Sequence, residues 1–366
     1  MGYKVLVFTK PPTERHIHYL GGKADVRAHF DRVIDASGLF FRSSCRKNEL
    51  GVATEQASSV VFLYFLLREL RDKYVLVYPH SKLITTIVVA WLLRLHEMPW
   101  GVVDIKSMYA SNVLGLKKRR SPASILVKVK KYAIDLLMPS PDHFFTNRKN
   151  AYFGKTKASL IDTKEYYAWA KGRGSLSNID QSKLPFLAFL DQSIPRKYSI
   201  EKSGYRGIFD KDKTQNYYAD LNKYLVEASN EYGLNVVVCL HPSARLEDKE
   251  WFDERIEVVH LETGTYAANA SLIVTHFSNS TAFAHLSGVP LLLLNMKAVM
   301  PCQLQNRIDE FSRASGFQVQ NWPAPIVELS QLHAVRNTGV IEFLKPCGRG
   351  ASLLQSIDFH VVRKKD

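Results

Sequence analysis

The chain has 366 residues, 46% hydrophobic, 23% charged and 11% aromatic, with 19 Gly and 15 Pro, a composition that excludes a disordered tail, a collagen-like fibre and a low-complexity segment. At roughly 150 residues per domain, this length predicts two domains, each with its own core. The 49 Lys and Arg outnumber the 35 Asp and Glu and leave a net charge of +14, which predicts an anionic partner: a nucleic acid, a phosphorylated small molecule or an anionic membrane face.

The opening MGYKVLVFTK enters a strand-like run (KVLVF) without the sections of a signal peptide, so a cytoplasmic setting is expected. A loop rich in Pro, His and Gly follows (TKPPTERHIHYLGG), as after the first strand of a parallel sheet. Residues 54–71 carry a helical apolar pattern, YVLVY at 74–78 reads as a strand, and Ser81 caps a helix running to about Leu95. Within that helix LITTIVVAWLL is flanked by Lys82 and Arg94; it falls short of the roughly 20 residues that span a bilayer and reads as a buried helix. WGVVDI is a further strand, Ser121-Pro122 starts a helix, and HFFT at 143–146 is a strand that closes the half. The alternation lapses over residues 147–185, the expected inter-domain region. It then restarts with strands FLAFL (186–190), LNVVVCL (234–240), 256–261, SLIVT (271–275) and 289–294, and with helices at 215–232, 266–269 and 279–287. The expectation is an α/β fold of two Rossmann-like domains at 1–150 and 186–345, joined through 151–185, with a C-terminal helix or tail at 346–366. Cys45, Cys239, Cys302 and Cys347 stand far apart with no CxxC pair, so neither a disulfide framework nor a zinc site is expected.

Polar residues just past apolar strands are the candidates for chemistry, because open α/β sheets bind ligands at the carboxyl ends of their strands. In VVVCLHPSAR, Pro242 ends the strand and turns His241 toward that edge, where its imidazole can donate a hydrogen bond to a phosphate. In LIVTHFSNSTAFAHLSG, Ser278, Asn279, Ser280 and Thr281 open a helix, so hydroxyls and free backbone N–H groups converge with the positive end of a dipole. The two motifs are expected on neighbouring strands. FLAFLDQSIPR places Asp191 and Gln192 at a third strand end, where Asp191 either caps a turn or offers a carboxylate to a ligand.

The His-Pro turn followed by a Ser/Thr-rich helix start resembles the carboxy-terminal nucleotide-binding domain of GT-B glycosyltransferases that use CMP-activated ulosonic acids, the bacterial sialyl- and Kdo-transferases. The resemblance implies two Rossmann-like domains with a cleft between them, and His241, Pro242, Ser278, Ser280 and Thr281 around a CMP phosphate. Asp191 is similar in position to the aspartate nucleophile of retaining β-Kdo transferase modules of O-antigen, capsule and lipopolysaccharide synthesis. Such a carboxylate traps an oxocarbenium-like centre, and two inversions give net retention. A carboxylated donor also needs a cation, for which Arg196 or Lys197 is placed; Tyr266 with Asn269 either borders the cytosine or packs in the core. Each of Lys10, Glu14, Arg15, His16, His18, His80 and Asp104 lies at a strand end in the first half, and Glu14 or Asp104 is the expected acceptor base or acid. The resemblance implies a CMP-sugar donor such as CMP-Kdo, a lipid-linked glycan acceptor, no cofactor and no metal, since a CMP leaving group carries one phosphate and needs no metal-clamped diphosphate. Its specific residues lie within 186–294, and the amino-terminal half has no motif-by-motif match.

Lys117 to Arg120, followed by Lys128, Lys130 and Lys131 among apolar residues, with Arg363 to Lys365 in the tail, make a basic amphipathic stretch suited to peripheral contact with the inner membrane. No RNP-like run, zinc-finger spacing or helix-turn-helix accompanies the charge, so nucleic acid is not the expected partner. The alternatives are an inverting CMP-sialic acid transferase, a CDP-glycerol phosphotransferase-like enzyme and a non-catalytic polyanion-binding protein.

Overall fold

A computed structural model describes residues 4–8, 26, 30, 32–36, 54–57, 59–70, 74–78, 83–104, 139–146, 152–153, 155–174, 179, 184–199, 209–242, 244–335 and 338–346. The expected first-loop groups Lys10, Glu14, Arg15, His16 and His18, together with His80, the basic stretch 117–131 and the tail 347–366, lie outside these. The chain divides into two compact units: 1–106, 119–164 and 345–366 form the first, 107–118 and 165–344 the second.

The first unit is built on β1 (Lys4–Phe8), β2 (Arg32–Asp35), β3 (Thr54–Gln56), β4 (Tyr74–Tyr78), β5 (Trp100–Asp104), β6 (His143–Thr146), β7 (Tyr152–Phe153) and β8 (Thr156–Leu160). They form one sheet in the order β3-β2-β1-β4-β5-β6-β8-β7, parallel except for the β7–β8 pair. Strand side chains alternate between faces. Accordingly Val5, Val7, Val75 and Val77 enter one core, while Leu6, Phe8 and Leu76 enter the other. A parallel sheet covered on both faces selects such unbroken apolar strands.

Helix α1 (Val60–Glu69) is capped by Ser59, whose hydroxyl accepts from the Phe62 N–H at 3.1 Å, and it packs with α2 (Leu83–Leu95). Three expectations are corrected, the third in a segment that contributes to both units. Residues 54–56 form edge strand β3 and not the first turn of a helix, because pairing with β2 holds a short polar segment that has no apolar pattern of its own. Helix α2 buries only one face, with Thr85, Val89, Ala90 and Leu93 inside and Trp91 and Leu95 exposed. Residues 147–185, in which no regular element was read, supply β7, β8 and helix α3 (Lys164–Arg173).

The second unit carries β9 (Phe186–Leu190), α4 (Ile194–Ser199), α5 (Lys211–Tyr232), β10 (Asn235–Leu240), β11 (Glu257–His260), α6 (Thr263–Asn269), β12 (Leu272–Thr275), α7 (Ala282–Ser287), β13 (Leu291–Met296), α8 (Cys302–Ser315), β14 (Gln318–Trp322) and α9 (Thr338–Leu344). The sheet is wholly parallel in the order β11-β10-β9-β12-β13-β14. Helix α5 follows from its sequence. Asp210 caps it by accepting from the Lys213 N–H at 2.8 Å, Gly233 ends it in the left-handed region at φ 61°, and Tyr217, Leu221, Tyr224, Leu225 and Ala228 form its buried stripe. Helices α3 and α6 approach backbone to backbone at Gly172 and Gly264, where a Cβ on Gly264 would meet the Ala168 carbonyl at 2.6 Å. No helix among the described residues is long and apolar enough to cross a membrane.

Candidate functional site

In the second sheet β9 is the first strand in sequence and lies between β10 and β12, so chain direction across the sheet reverses at β9. The crevice outside the carboxyl ends of strands at such a reversal is where doubly wound sheets bind ligands. Asp191 stands at the end of β9, His241 at the end of β10, and His276 with Ser278 beyond the end of β12. The His-Pro and Ser/Thr motifs are therefore not on neighbouring strands as expected. They flank β9, which puts Asp191 between them.

Asp191 is buried and its carboxylate is held from two strands. Its Oδ1 accepts from the Ser193 backbone N–H at 2.9 Å, and its Oδ2 from the Ser193 hydroxyl at 3.1 Å and, at a long 3.4 Å, from the His241 backbone N–H. Ser193 takes φ 48° to close this turn, a left-handed conformation that Ser adopts at some cost and that is typical of constrained sites. The turn after β10 is closed by the Ala244 N–H donating to the His241 carbonyl at 2.7 Å, with Pro242 exposed and His241 partly exposed at the sheet edge.

Beneath these groups lies a layer that sequence reasoning missed. His276 is fully buried; its Nδ1 lies 2.7 Å from the Leu294 carbonyl and its Nε2 2.7 Å from the Tyr217 hydroxyl. A carbonyl only accepts, so Nδ1 carries the proton, and the Tyr217 O–H donates to Nε2. Burial lowers the His276 pKa to about 4, against the smaller opposing effect of the Leu294 carbonyl; the ring is neutral at physiological pH. Burial, followed by the charge of Asp191, holds the phenols of Tyr217 and Tyr218 far above their ordinary range. Tyr217 and His276 thus form a neutral, hydrogen-bonded pair in the core, and Tyr217 lies near enough to Asp191 for that charge to raise its phenol further. His276 follows β12 as His241 follows β10, and that parallel was the available signal. Tyr217 gave none, since its spacing reads only as core.

The remaining predicted residues divide. Ser278 and Ser280 lie partly exposed at the edge. The Ser280 N–H donates to the Ser278 hydroxyl oxygen at 3.1 Å, and both the N–H and the hydroxyl of Thr281 donate to the Ser278 carbonyl, at 3.2 and 2.7 Å. Residues 279–281 form a short 3-10 turn before α7, so the expected convergence of free N–H groups is reduced: two of them are spent within the turn, and Thr281 is fully buried. Gln192 is buried beside Asp191. Arg196 is partly exposed and ion-paired with Asp248 at 3.3 Å, and Asp248 also accepts from the Arg245 N–H at 2.7 Å. Any ligand carboxylate at Arg196 would compete with that pair.

Tyr266 and Asn269 do not reach this edge. The Tyr266 ring packs edge-on against Phe186, at the opposite end of β9, and its hydroxyl donates to Glu257 at 3.3 Å; burial pushes its pKa up to about 12. The Asn269 amide donates to the Gly172 and Thr265 carbonyls at 3.1 and 2.7 Å. Both are packing residues because α6 runs back toward the amino end of β12. Asp104 ends β5 of the first unit, paired in register with Thr146. One Asp-x-Asp triplet, Asp210-Lys211-Asp212, resembles a metal-clamping motif in spelling, but Asp210 is the exposed cap of α5 and accepts from the Lys213 N–H.

Each unit repeats the strand order 3-2-1-4-5-6, and two such Rossmann-like sheets in one chain make the α/β architecture of the GT-B class. No protein-family model and no curated protein sequence matches the chain. Among solved structures it is similar to the glycosyltransferase SnogD from Streptomyces nogalater (TM-score 0.49, 12% identity, 99% of this chain and 100% of that one) and to the UDP-GlcNAc 2-epimerase from Methanocaldococcus jannaschii (0.45, 12%, 99% and 100%). It is also similar to the wall teichoic acid polymerase TagF (0.39, 11%, 80% and 70%). Likeness at these scores carries no argument, and the fold class rests on the strand order.

Proposed function

We propose that the chain is a glycosyltransferase that takes a ulosonic acid such as Kdo from its CMP-sugar and transfers it to a glycan acceptor. The observation that carries this reading is the meeting of Asp191, the His241-Pro242 turn and the Ser278–Ser280 turn around the end of β9. A carboxylate fixed between a partly exposed imidazole and a hydroxyl-bearing turn suits a substrate with an anionic leaving group beside a centre that becomes positive. In the proposed reaction an Asp191 oxygen bonds to the anomeric carbon as the bond from that carbon to the phosphate oxygen breaks, and CMP departs with the electron pair. The acceptor hydroxyl then displaces the carboxylate with inversion, so two inversions retain configuration. His241, Ser278 and Ser280 would stabilise the departing phosphate where charge develops. Thr281 and Ser193 would hold the two turns, and Arg196 would receive the donor carboxylate once released from Asp248. Glu14 or Asp104 remains the proposed acceptor base, and a lipid-linked surface glycan at the cytoplasmic face of the inner membrane the proposed acceptor.

Thermal shift with CMP, CDP, UDP and GDP tests the donor class, since a nucleotide at about 100 times its dissociation constant adds about 2.7 kcal/mol. Stabilisation by CMP above the others is expected; preference for CDP or UDP overturns the donor assignment. Intact mass after mixing with CMP-Kdo tests the mechanism. A sugar adduct lost in Asp191→Ala is expected, whereas full activity of that variant removes Asp191 as nucleophile.

A further inference from the structure

Tyr218 of α5 is buried by the fold, but its polar atom is not used by the fold. The residue is 6% exposed, yet among the described residues its hydroxyl has no hydrogen-bond partner. Buried tyrosines ordinarily pair that group, as Tyr217 does with His276. The hydroxyl of Tyr224 is also unpaired but is sealed in the core, and that of Tyr218 is not. A buried ring that ends in an unpaired, unsealed hydroxyl is suited to meet a ligand.

Its surroundings fix the ring and place it. Tyr218 stacks on Trp251, with 5.2 Å between centroids and 16° between planes, and meets Phe252 and Tyr217 edge-on at 5.5 and 5.1 Å. Trp251 ends the 3-10 turn Leu246–Trp251, in which residues three apart eclipse one another, so Asp248 lies on the face of that turn that meets Tyr218. Asp248 in turn holds Arg196 at 3.3 Å. The Asp191 N–H still donates to the Cys239 carbonyl, so the alternation of β9 reaches it and Phe189 and Asp191 share a face. That is the α5 face, because Phe189 meets His276 at 5.6 Å and His276 bonds Tyr217. Asp191, Asp248 and Arg196 are accordingly the charges that act on the Tyr218 phenol, which burial, above all, keeps protonated and able to donate.

In a ulosonic acid the carboxylate is bonded to the anomeric carbon itself. An Asp191 oxygen that reaches this carbon therefore comes beside a second anion, and like charges in a partly buried site repel. The donor carboxylate thus needs hydrogen-bond donors of its own on the α5 side. We propose that Tyr218, with Arg196, forms the subsite for that carboxylate, the phenol O–H donating to one of its oxygens, and so selects a ulosonic acid over a neutral sugar. This subsite rests on the CMP-sugar reading above.

The test is calorimetric titration of the wild type and of Tyr218→Phe with CMP and with CMP-Kdo. The variant loses only an oxygen that has no protein partner, so its melting temperature and its affinity for CMP should equal those of the wild type. CMP-Kdo should bind to it at least about tenfold more weakly. Equal CMP-Kdo affinity in the two proteins overturns the subsite and leaves the donor class standing. A loss shared equally by CMP and CMP-Kdo assigns Tyr218 to the nucleotide, and a lowered melting temperature assigns its hydroxyl to the fold; either result overturns the proposal. Wild type that fails to bind CMP-Kdo removes the donor reading itself, and the subsite with it.

Discussion

Acidification should destabilise the second unit through one residue, His276. Its pKa in the folded chain is about 4, held down first by burial, against about 6.5 in an unfolded chain. Between these values the unfolded chain binds the proton and the folded chain does not, so stability rises with pH across the window and is lost as pH falls from about 6.5 toward 4. A difference of this size corresponds to about 3 kcal/mol in all, or about 1.4 kcal/mol per pH unit inside the window. His276→Gln places a polar, non-titrating side chain at the same position and isolates the effect. Urea unfolding of both proteins at pH 7, 6, 5 and 4.5, with stability as a difference at each pH, gives the measurement. The wild-type advantage should shrink by roughly 2 kcal/mol between pH 6.5 and 5. Parallel pH profiles would refute the neutral, buried assignment of His276, and an advantage that grows on acidification would refute its sign.

Other substitutions probe the same construction. Tyr217→Phe removes the hydroxyl that donates to His276 Nε2 and should cost about 1–3 kcal/mol by chemical denaturation; it should also flatten the pH dependence, because the neutral ring loses its donor. Gly264→Ala drives a Cβ to 2.6 Å from the Ala168 carbonyl and should destabilise by about 1–3 kcal/mol, read as a lowered thermal midpoint. Asp248→Asn releases Arg196; it should change stability by less than about 1 kcal/mol, while calorimetry should show tighter binding of a carboxylated CMP-sugar and unchanged binding of CMP.

Much of the second unit was legible because β9, β10, β12 and β13 are buried on both faces and so appear as unbroken apolar runs. The edge strand β11 was legible too, but two others were not: TEQ of β3 has no apolar residue, and QVQNW of β14 is mixed, so both owe their strand geometry to the partner alongside. The site shows the same division. Asp191 and His241 announce themselves as polar residues that end apolar runs. What surrounds them was hidden, since the left-handed turn at Ser193 and the contact from Tyr217 to His276, 59 residues apart, exist only after the chain has closed on itself. The serine-rich segment misled in a different way: its composition promised free donors, but neighbouring hydroxyl and amide groups satisfied one another first.

The placement of β9 has a consequence for how this chain tolerates change in length. Both edges of β9 are paired, Leu187 to Val236 on one side and to Leu272 on the other, so the strand cannot slide to absorb an added residue. One insertion between Phe186 and Leu190 would send every following side chain to the opposite face, turning Asp191 away and presenting Leu190 in its place. Conservative exchanges among the apolar residues of β9 would leave that alternation intact. The site is therefore specified less by the letters of the strand that delivers its carboxylate than by their number.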